Sequence, residues 1–390
     1  MKNELNSRNG RRKSRRLKKP VKLTLLILCM LIIGLSVYNF SLKSAETVQN
    51  DNADNVNIKV KQVANDKESP APVKETAITI SAAGDFTLGT DETFQYAGSF
   101  PDEADKNGLS YFVAELDDIF KNDDLSTVNL ETTLTNATEK AVKKFRFKGD
   151  PSYVQILELA GIESVNLANN HIHDYLQKGY DDTIETLKKQ KIGYFGYDNK
   201  YITEVKGVKI GALGYEGWND TPELREQVAA DIKELKEKGA EIVLVHYHWG
   251  IERSYIPMES QKTLAHYTID SGADLILGHH PHVVQGVEEY NGKFIVYSLG
   301  NFMFGGNRNP GDKDTYVFQQ TFHLKNGKLT DKKEINVVPF SISSVTHRNN
   351  YQPKRLEGAE AERVKNKIID VSNQINGSDW LQYDKNNINN

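Results

Sequence analysis

Five times along the chain a short apolar run stops on a carboxylate, an amide or an imidazole. Ala77 to Ala83 runs into Gly84-Asp85, Leu125 to Leu130 into Glu131, and Ser164 to Ala168 into Asn169-Asn170-His171. Glu241 to Val245 runs into His246-Tyr247-His248, and Ala273 to Leu277 into Gly278-His279-His280-Pro281-His282. Runs of this length bounded by Gly and polar residues predict buried strands. Since α/β sheets place their ligands beyond the carboxyl ends of strands, the recurrence predicts one sheet edge that is rich in polar groups. Each cluster alone has an ordinary reading: Asp85 in a Gly-Asp turn, Glu131 on a solvated loop, Asn169-Asn170 as a cap, His248 as a hydrogen-bonded core histidine. Five of them at one edge point instead to a metal site, because buried ring nitrogens need partners and neutral imidazole is the commonest side-chain ligand. Mixed oxygen and nitrogen donors suit Mn, Fe or Zn better than a thiolate or all-oxygen calcium site.

Helical patterns fill the gaps between the runs. They cover Tyr111 to Phe120, Pro151 to Leu159 behind an Asp150 cap, Gly179 to Gln190, Thr221 to Lys238, Gln261 to Asp270 and Leu356 to Ile375. Hairpins are predicted around Lys206-Gly207, around Asn291-Gly292 (Val283 to Tyr290 with Lys293 to Ser298) and around Asn326-Gly327 (Thr315 to Leu324 with Lys332 to Val345). Strands alternating with helices, followed by hairpins, predict an α/β fold with mixed sheets.

The amino terminus carries a separate message. Residues 1–22 hold ten Lys and Arg against one Glu, so in a chain of net charge −4 the remainder carries −13. An acidic globular part argues against a nucleic-acid partner. Leu23 to Phe40 is an apolar run without charge, near the lower end of the length that spans a bilayer. With the basic residues on its amino side, the positive-inside rule predicts a single-pass anchor, the N-terminus cytoplasmic and the main domain outside. An uncleaved anchor is favoured over a signal peptide because no small-x-small site follows and the run is long for a signal core. Cys29, the one cysteine, lies inside this run, so the exported part has no disulfide. The expected organisation is a basic cytoplasmic segment (1–22), a transmembrane anchor (23–40), a flexible linker (41–76), the main domain (77–345) and a C-terminal helix and tail (346–390).

Gly84-Asp85, Asn129-Leu130-Glu131, Ala168-Asn169-Asn170-His171 with Asp174, His248-Trp249-Gly250 with Glu252, Gly278-His279-His280-Pro281-His282 and Tyr297-Ser298-Leu299-Gly300-Asn301-Phe302 occur in this order. As a set they resemble the CapA family of poly-γ-glutamate capsule biosynthesis proteins, which looks like a branch of the calcineurin-like metallophosphoesterase superfamily. The resemblance implies a sandwich of two mixed β-sheets flanked by helices and one or two divalent transition metal ions. It implies Asp85 and His282 on one metal, Asn170, His248 and His280 on a second, and Glu131 between them. It assigns His171 as a general acid or transition-state donor, with Asp174 as its catalytic companion. The chain departs from the superfamily pattern at two places: Thr87 stands where a histidine is usual and Glu131 where an aspartate is usual, which leaves a single-metal site open. His246 and His279 are extra imidazoles, supporting residues or a replacement for the lost ligand. The implied function is capsule polymer synthesis or export, by a hydrolase acting on an anionic polymer or phosphoester. Alternatives are a non-catalytic polymer-binding or scaffold subunit and a cell-wall hydrolase. The implied partners are other membrane subunits of a capsule polymer synthase.

Overall fold

Alternation of apolar side chains in the strands builds two sheets that pack face to face. The computed structural model describes residues 73–386. Residues 1–22, the apolar run 23–40 and most of the expected linker lie outside them; among the described residues no helix is long and apolar enough to cross a membrane.

The first sheet is built around β1 (Glu75–Thr87). On one side of it lie, all parallel, β3 (Leu125–Leu130), β6 (Ser164–Asn166) and β7 (Gly193–Phe195). On the other side β15 (Asp314–Lys325) runs antiparallel to β1, followed by β17 (Ile335–Ser341) and β18 (Lys354–Arg355). Short β14 (Asn301–Phe304) pairs in parallel with the end of β1, and β16 (Lys328–Leu329) pairs with β15. The second sheet has the order β12 (Val287–Tyr290), β13 (Lys293–Val296), β11 (Leu275–His279), β10 (Ile242–His248), β9 (Val208–Glu216) and β8 (Tyr201–Val205). A small third sheet joins β2 (Thr90–Asp91), β5 (Phe147–Gly149) and β4 (Thr133–Leu134).

Facing side chains of the two large sheets make one apolar core: Ile78, Ile80, Ala82, Leu125 and Phe318 from the first, Ile210, Ile242, Leu244, Leu275, Leu277 and Phe294 from the second. Helices cover the outer faces. α1 (Phe100–Asn107), α2 (Val154–Ala160) and α3 (Leu176–Gln190) contribute Phe100, Ile156, Leu157 and Leu187 to the layer over Phe86, Val128 and Val165. α4 (Pro222–Glu237) and α5 (Glu259–Asp270) bring Val228, Ile232, Leu235, Leu264 and Ile269 against Val243, Val245 and Ile276. α4 begins as its sequence dictates, Thr221 accepting from Leu224 N at 3.3 Å with Pro222 in the first turn. α6 (Gly358–Asn373) is no appendage: Val364 and Ile368 are buried in the inter-sheet core cluster.

Four expectations need correction. Tyr111 to Phe120 is not an α-helix: a 3-10 turn spans Leu109–Val113, and Asp117 and Asp118 adopt positive φ (51° and 52°), which ends any regular helix. Phe112, Leu116, Ile119 and Phe120 are nevertheless buried, so the periodicity reported burial rather than helix. The linker ends earlier than 76, because β1 starts at Glu75 through its antiparallel pairing with β15. The hairpin around Asn291-Gly292 is a regular ladder only over Val287–Tyr290 with Lys293–Val296, continuing through Tyr297 N to Gly286 O, Gln285 N to Ser298 O and an isolated Val284–Leu299 bridge, and β17 is shorter than expected, confined to Ile335–Ser341. Finally, strands outrun their apolar stretches: Asp85, His246, His248 and His279 lie within strands, not in loops after them.

Candidate metal centre

The polar residues in the strands follow from a change of chemistry along the inward faces. β10 presents Ile242 and Leu244 to the opposite sheet, then His246 and His248; β11 presents Leu275 and Leu277, then His279; β3 presents Leu125, then Thr127 and Asn129. The amino halves of the strands therefore enclose hydrocarbon and the carboxyl halves enclose hydrogen-bonding groups. β1 joins them through an irregularity in its register between Ala82 and Asp85, which carries Asp85 opposite Asn129. Close backbone approach requires glycine at two of these ends. A Cβ on Gly84 would stand 1.9 Å from Gly300 O, and one on Gly278 1.9 Å from Tyr297 O.

All eight predicted site residues converge here. Asp85 Oδ2 lies 3.2 Å from His282 Nδ1. Glu131 Oε1 lies 3.5 Å from His248 Nε2 and 3.9 Å from His282 Nε2. His248 Nε2 is 2.8 Å from Asn170 Oδ1 and 3.1 Å from His280 Nδ1. Ligand atoms of Glu131, His280 and His282 fall within 4.8 Å of one another. The loop holding the two histidines is strained: His280 and His282 have φ of 94° and 56° on either side of Pro281, a conformation that non-glycine residues keep only where surroundings enforce it. His171 Nδ1 and Asp174 Oδ2 are 2.6 Å apart, and the imidazole stacks on Phe147 with centroids 4.2 Å apart.

The electrostatics fit a cation. Burial and the Asp85 charge push the Glu131 carboxyl well above its ordinary range. Burial also acts to raise Asp85, but His279 and His282 outweigh it and hold that carboxyl well below the usual value. Burial would lower His282; the charges of Glu131 and Asp85 instead raise it to about 10. Burial and the neighbouring His282 charge lower His280 to about 4, and burial with His280 keeps His248 well below its ordinary value. Both Glu131 oxygens and Asp85 Oδ2 are buried without a hydrogen-bond donor. A buried carboxylate oxygen is costly unless paired or coordinated. The donor set of carboxylates, an amide oxygen and imidazoles fits a divalent transition metal such as Mn, Fe or Zn.

Several contributors were not assigned a role from the sequence. Asn129 Nδ2 donates to Asp85 Oδ1 at 2.8 Å, while its Oδ1 accepts from Asn166 and Asn169. Asn301 Oδ1 sits 2.8 Å from His282 Nδ1. Both stand inside the quoted motifs, which was the available signal. Lys143 had none: it donates to Asp174 Oδ1 at 2.7 Å and to Asn170 O at 2.6 Å from a distant loop. Trp218 sets its ring edge-on to His280 and His248, with centroids 4.7 and 5.6 Å away. Thr87, standing where an imidazole was expected, is buried with Oγ1 unpaired.

Fold and cluster define a two-sheet α/β protein with a buried carboxylate–imidazole centre at the carboxyl ends of its strands. The family model for "Bacterial capsule synthesis protein PGA_cap" matches residues 79–306, and the chain belongs to that family. It is 32% identical over 297 residues to "PGA biosynthesis protein CapA" of Bacillus subtilis (strain 168), covering 70% of this chain and 73% of that one. It is 30% identical over 307 residues to "Capsule biosynthesis protein CapA" of Bacillus anthracis, covering 70% and 71%. A hypothetical protein from Thermus thermophilus superposes with a TM-score of 0.42 at 17% identity, over 67% of this chain and 99% of that one.

Proposed function

We propose that the chain acts in poly-γ-glutamate capsule synthesis or export as a metal-dependent hydrolase of metallophosphoesterase type, working on a phosphoester or on the anionic polymer. One observation carries this reading: the fully buried Glu131 carboxylate, with no donor on either oxygen, faces His248 and His282 at 3.5 and 3.9 Å. Asp85, Glu131, Asn170, His248, His280 and His282 would hold the metal, which supplies Lewis-acid polarisation of a phosphoryl or carbonyl oxygen. Asp174 accepts from His171 Nδ1, so His171 meets the substrate through Nε2, which delivers a proton to a leaving oxygen only from the imidazolium form that the Asp174 charge favours against burial. Lys143 and the backbone N–H of Phe147 both donate to Asp174 and hold that carboxylate in place. Phe147, stacked on His171, limits the ring's rotation.

The proposal includes a cell-membrane location, with residues 23–40 as the anchor, the N-terminus cytoplasmic and the centre facing outward beside other subunits of a membrane-bound polymer synthase. Thr87 favours a second reading, a polymer-binding scaffold subunit, because the Asp85 half of the site lacks the imidazole of the superfamily pattern. Metal analysis of the purified protein separates the two. Stoichiometric Mn, Fe or Zn, lost in His280→Ala and His282→Ala, supports the hydrolase; a metal-free wild type refutes it. Carbonate washing of membranes tests the anchor, which fails if the full-length protein appears in the supernatant.

A further inference from the structure

Behind Asp85, away from the predicted ligands, a line of fully buried polar side chains crosses the space between the sheets. Thr127 Oγ1 on β3 lies 3.2 Å from His246 Nε2 on β10. His246 Nδ1 lies 2.9 Å from His279 Nε2 on β11. His279 Nδ1 has no hydrogen-bond partner and points to Asp85 Oδ1 at 3.6 Å, back on the first sheet. All four side chains are 0% exposed. The two imidazoles are stacked 12° from parallel, and the Phe195 ring meets His246 edge-on. Two aliphatic or aromatic side chains would fill this space without desolvating four ring nitrogens, so packing alone does not account for them.

We infer that His246 and His279 are positioning residues: with Thr127 they form a one-way hydrogen-bond relay whose last N–H, 3.6 Å from Asp85 Oδ1 and beyond hydrogen-bond length, orients that carboxylate by charge–dipole attraction for a divalent cation. The direction follows from chemistry. An ionised carboxylate only accepts, and a neutral imidazole carries one donor and one acceptor nitrogen. If His279 Nδ1–H faces Asp85, its Nε2 must accept, so His246 must donate from Nδ1 and accept at Nε2 from the Thr127 hydroxyl. Every link then aims a proton toward Asp85. Outer partners of this kind fix ligand orientation and basicity, and their loss typically costs about 10–100-fold in metal affinity. The inference rests on the metal-binding reading above and adds a role for two histidines that the ligand set does not use.

Cobalt(II) titration of the full-length protein, followed by visible absorption, tests it with His246→Phe and His246→Asn. Phe keeps an aromatic ring beside Phe195 but removes both nitrogens; the Asn amide restores an N–H near the position of Nδ1. His246→Phe is expected to weaken cobalt binding by about 10–100-fold in a protein still folded at the titration temperature, its chelator-treated Tm falling because the Thr127 hydroxyl and His279 Nε2 lose their partner, and His246→Asn to restore most of the affinity. Equal affinity in all three proteins would overturn the relay while leaving the metal reading intact. A wild type that binds no cobalt would overturn both. Long-range nitrogen-15 NMR of the wild type gives a readout independent of any variant: both His246 and His279 are expected as Nδ1–H tautomers, and an Nε2–H tautomer at either ring contradicts the relay.

Discussion

Asn129 holds Asp85 from the neighbouring strand, its Nδ2 2.8 Å from Asp85 Oδ1, while its own Oδ1 accepts from Asn166 and Asn169. One fully buried amide thus joins β3 and β6 to the carboxylate at the end of β1. Asn129→Leu keeps the volume but withdraws its contacts from Asp85 Oδ1 and His248 Nδ1 and one acceptor each from the Asn166 and Asn169 amides, which keep Ala168 O and Leu130 O. The expected loss is about 2–4 kcal/mol, since each buried group left unsatisfied costs about 1–3 kcal/mol. Urea denaturation of the chelator-treated protein measures it, and a loss below about 1 kcal/mol would show that the amide network does not hold this end of the sheet together.

Glu131→Gln separates stability from binding. The carboxylate is buried with no donor on either oxygen, so removing its charge is expected to raise the Tm of the chelator-treated protein. The same variant should lose the Tm increase that manganese or zinc gives the wild type, an increase worth about 2.7 kcal/mol when the ion is present at about 100 times its Kd. Differential scanning calorimetry with and without the ion reads both effects. An unchanged metal response would remove Glu131 from the ligand set.

Asp174→Asn probes the acid. Asp174 binds His171, Lys143 and the Phe147 backbone but is not among the predicted ligands. Metal content should therefore stay at the wild-type level while kcat on a chromogenic phosphodiester falls about 100-fold or more. A rise in KM alone, with kcat preserved, would assign the pair to substrate contact instead.

At the opposite end of β3, Asp123 Oδ2 accepts from Ser126 Oγ at 2.6 Å. Burial raises its carboxyl to about 6, against hydrogen bonds from Ser126 and Ser81. Because the folded value lies above the unfolded one, the native state binds the proton more tightly. The associated stabilisation is complete below about pH 4 and is lost as pH rises through about 6. Asp123→Asn should have a flatter profile: its urea midpoint should gain on that of the wild type between about pH 4 and 6 and hold a constant offset above about pH 7. Parallel profiles would show that Asp123 does not titrate in this window.

The clustering of Asp85, Glu131, Asn170, His248, His280 and His282 was legible because each falls at, or within a few residues of, the end of an apolar run, where a buried strand meets a polar edge. What escaped depends on pairing between distant segments. The register shift that brings Asp85 opposite Asn129 leaves no local trace. Lys143 reaches Asp174 from a loop whose composition reads as solvated surface. Tyr111 to Phe120 misled for a related reason: its apolar spacing is that of a buried segment, but two consecutive aspartates at positive φ make it a series of turns. His246 and His279 were visible as extra imidazoles, and only their packing against each other across strands gives them a shared task.

The centre draws its members from both sheets: Asp85 and Glu131 close strands of one, His248 and His280 close strands of the other. A cation held between them would rivet the sheets together at one end. The width of the gap it must span is gauged at the other end by Ile80, Leu244, Leu277 and Phe318. These hydrocarbon side chains work as spacers, so trimming or enlarging one of them would retune the distances at a centre that it never touches.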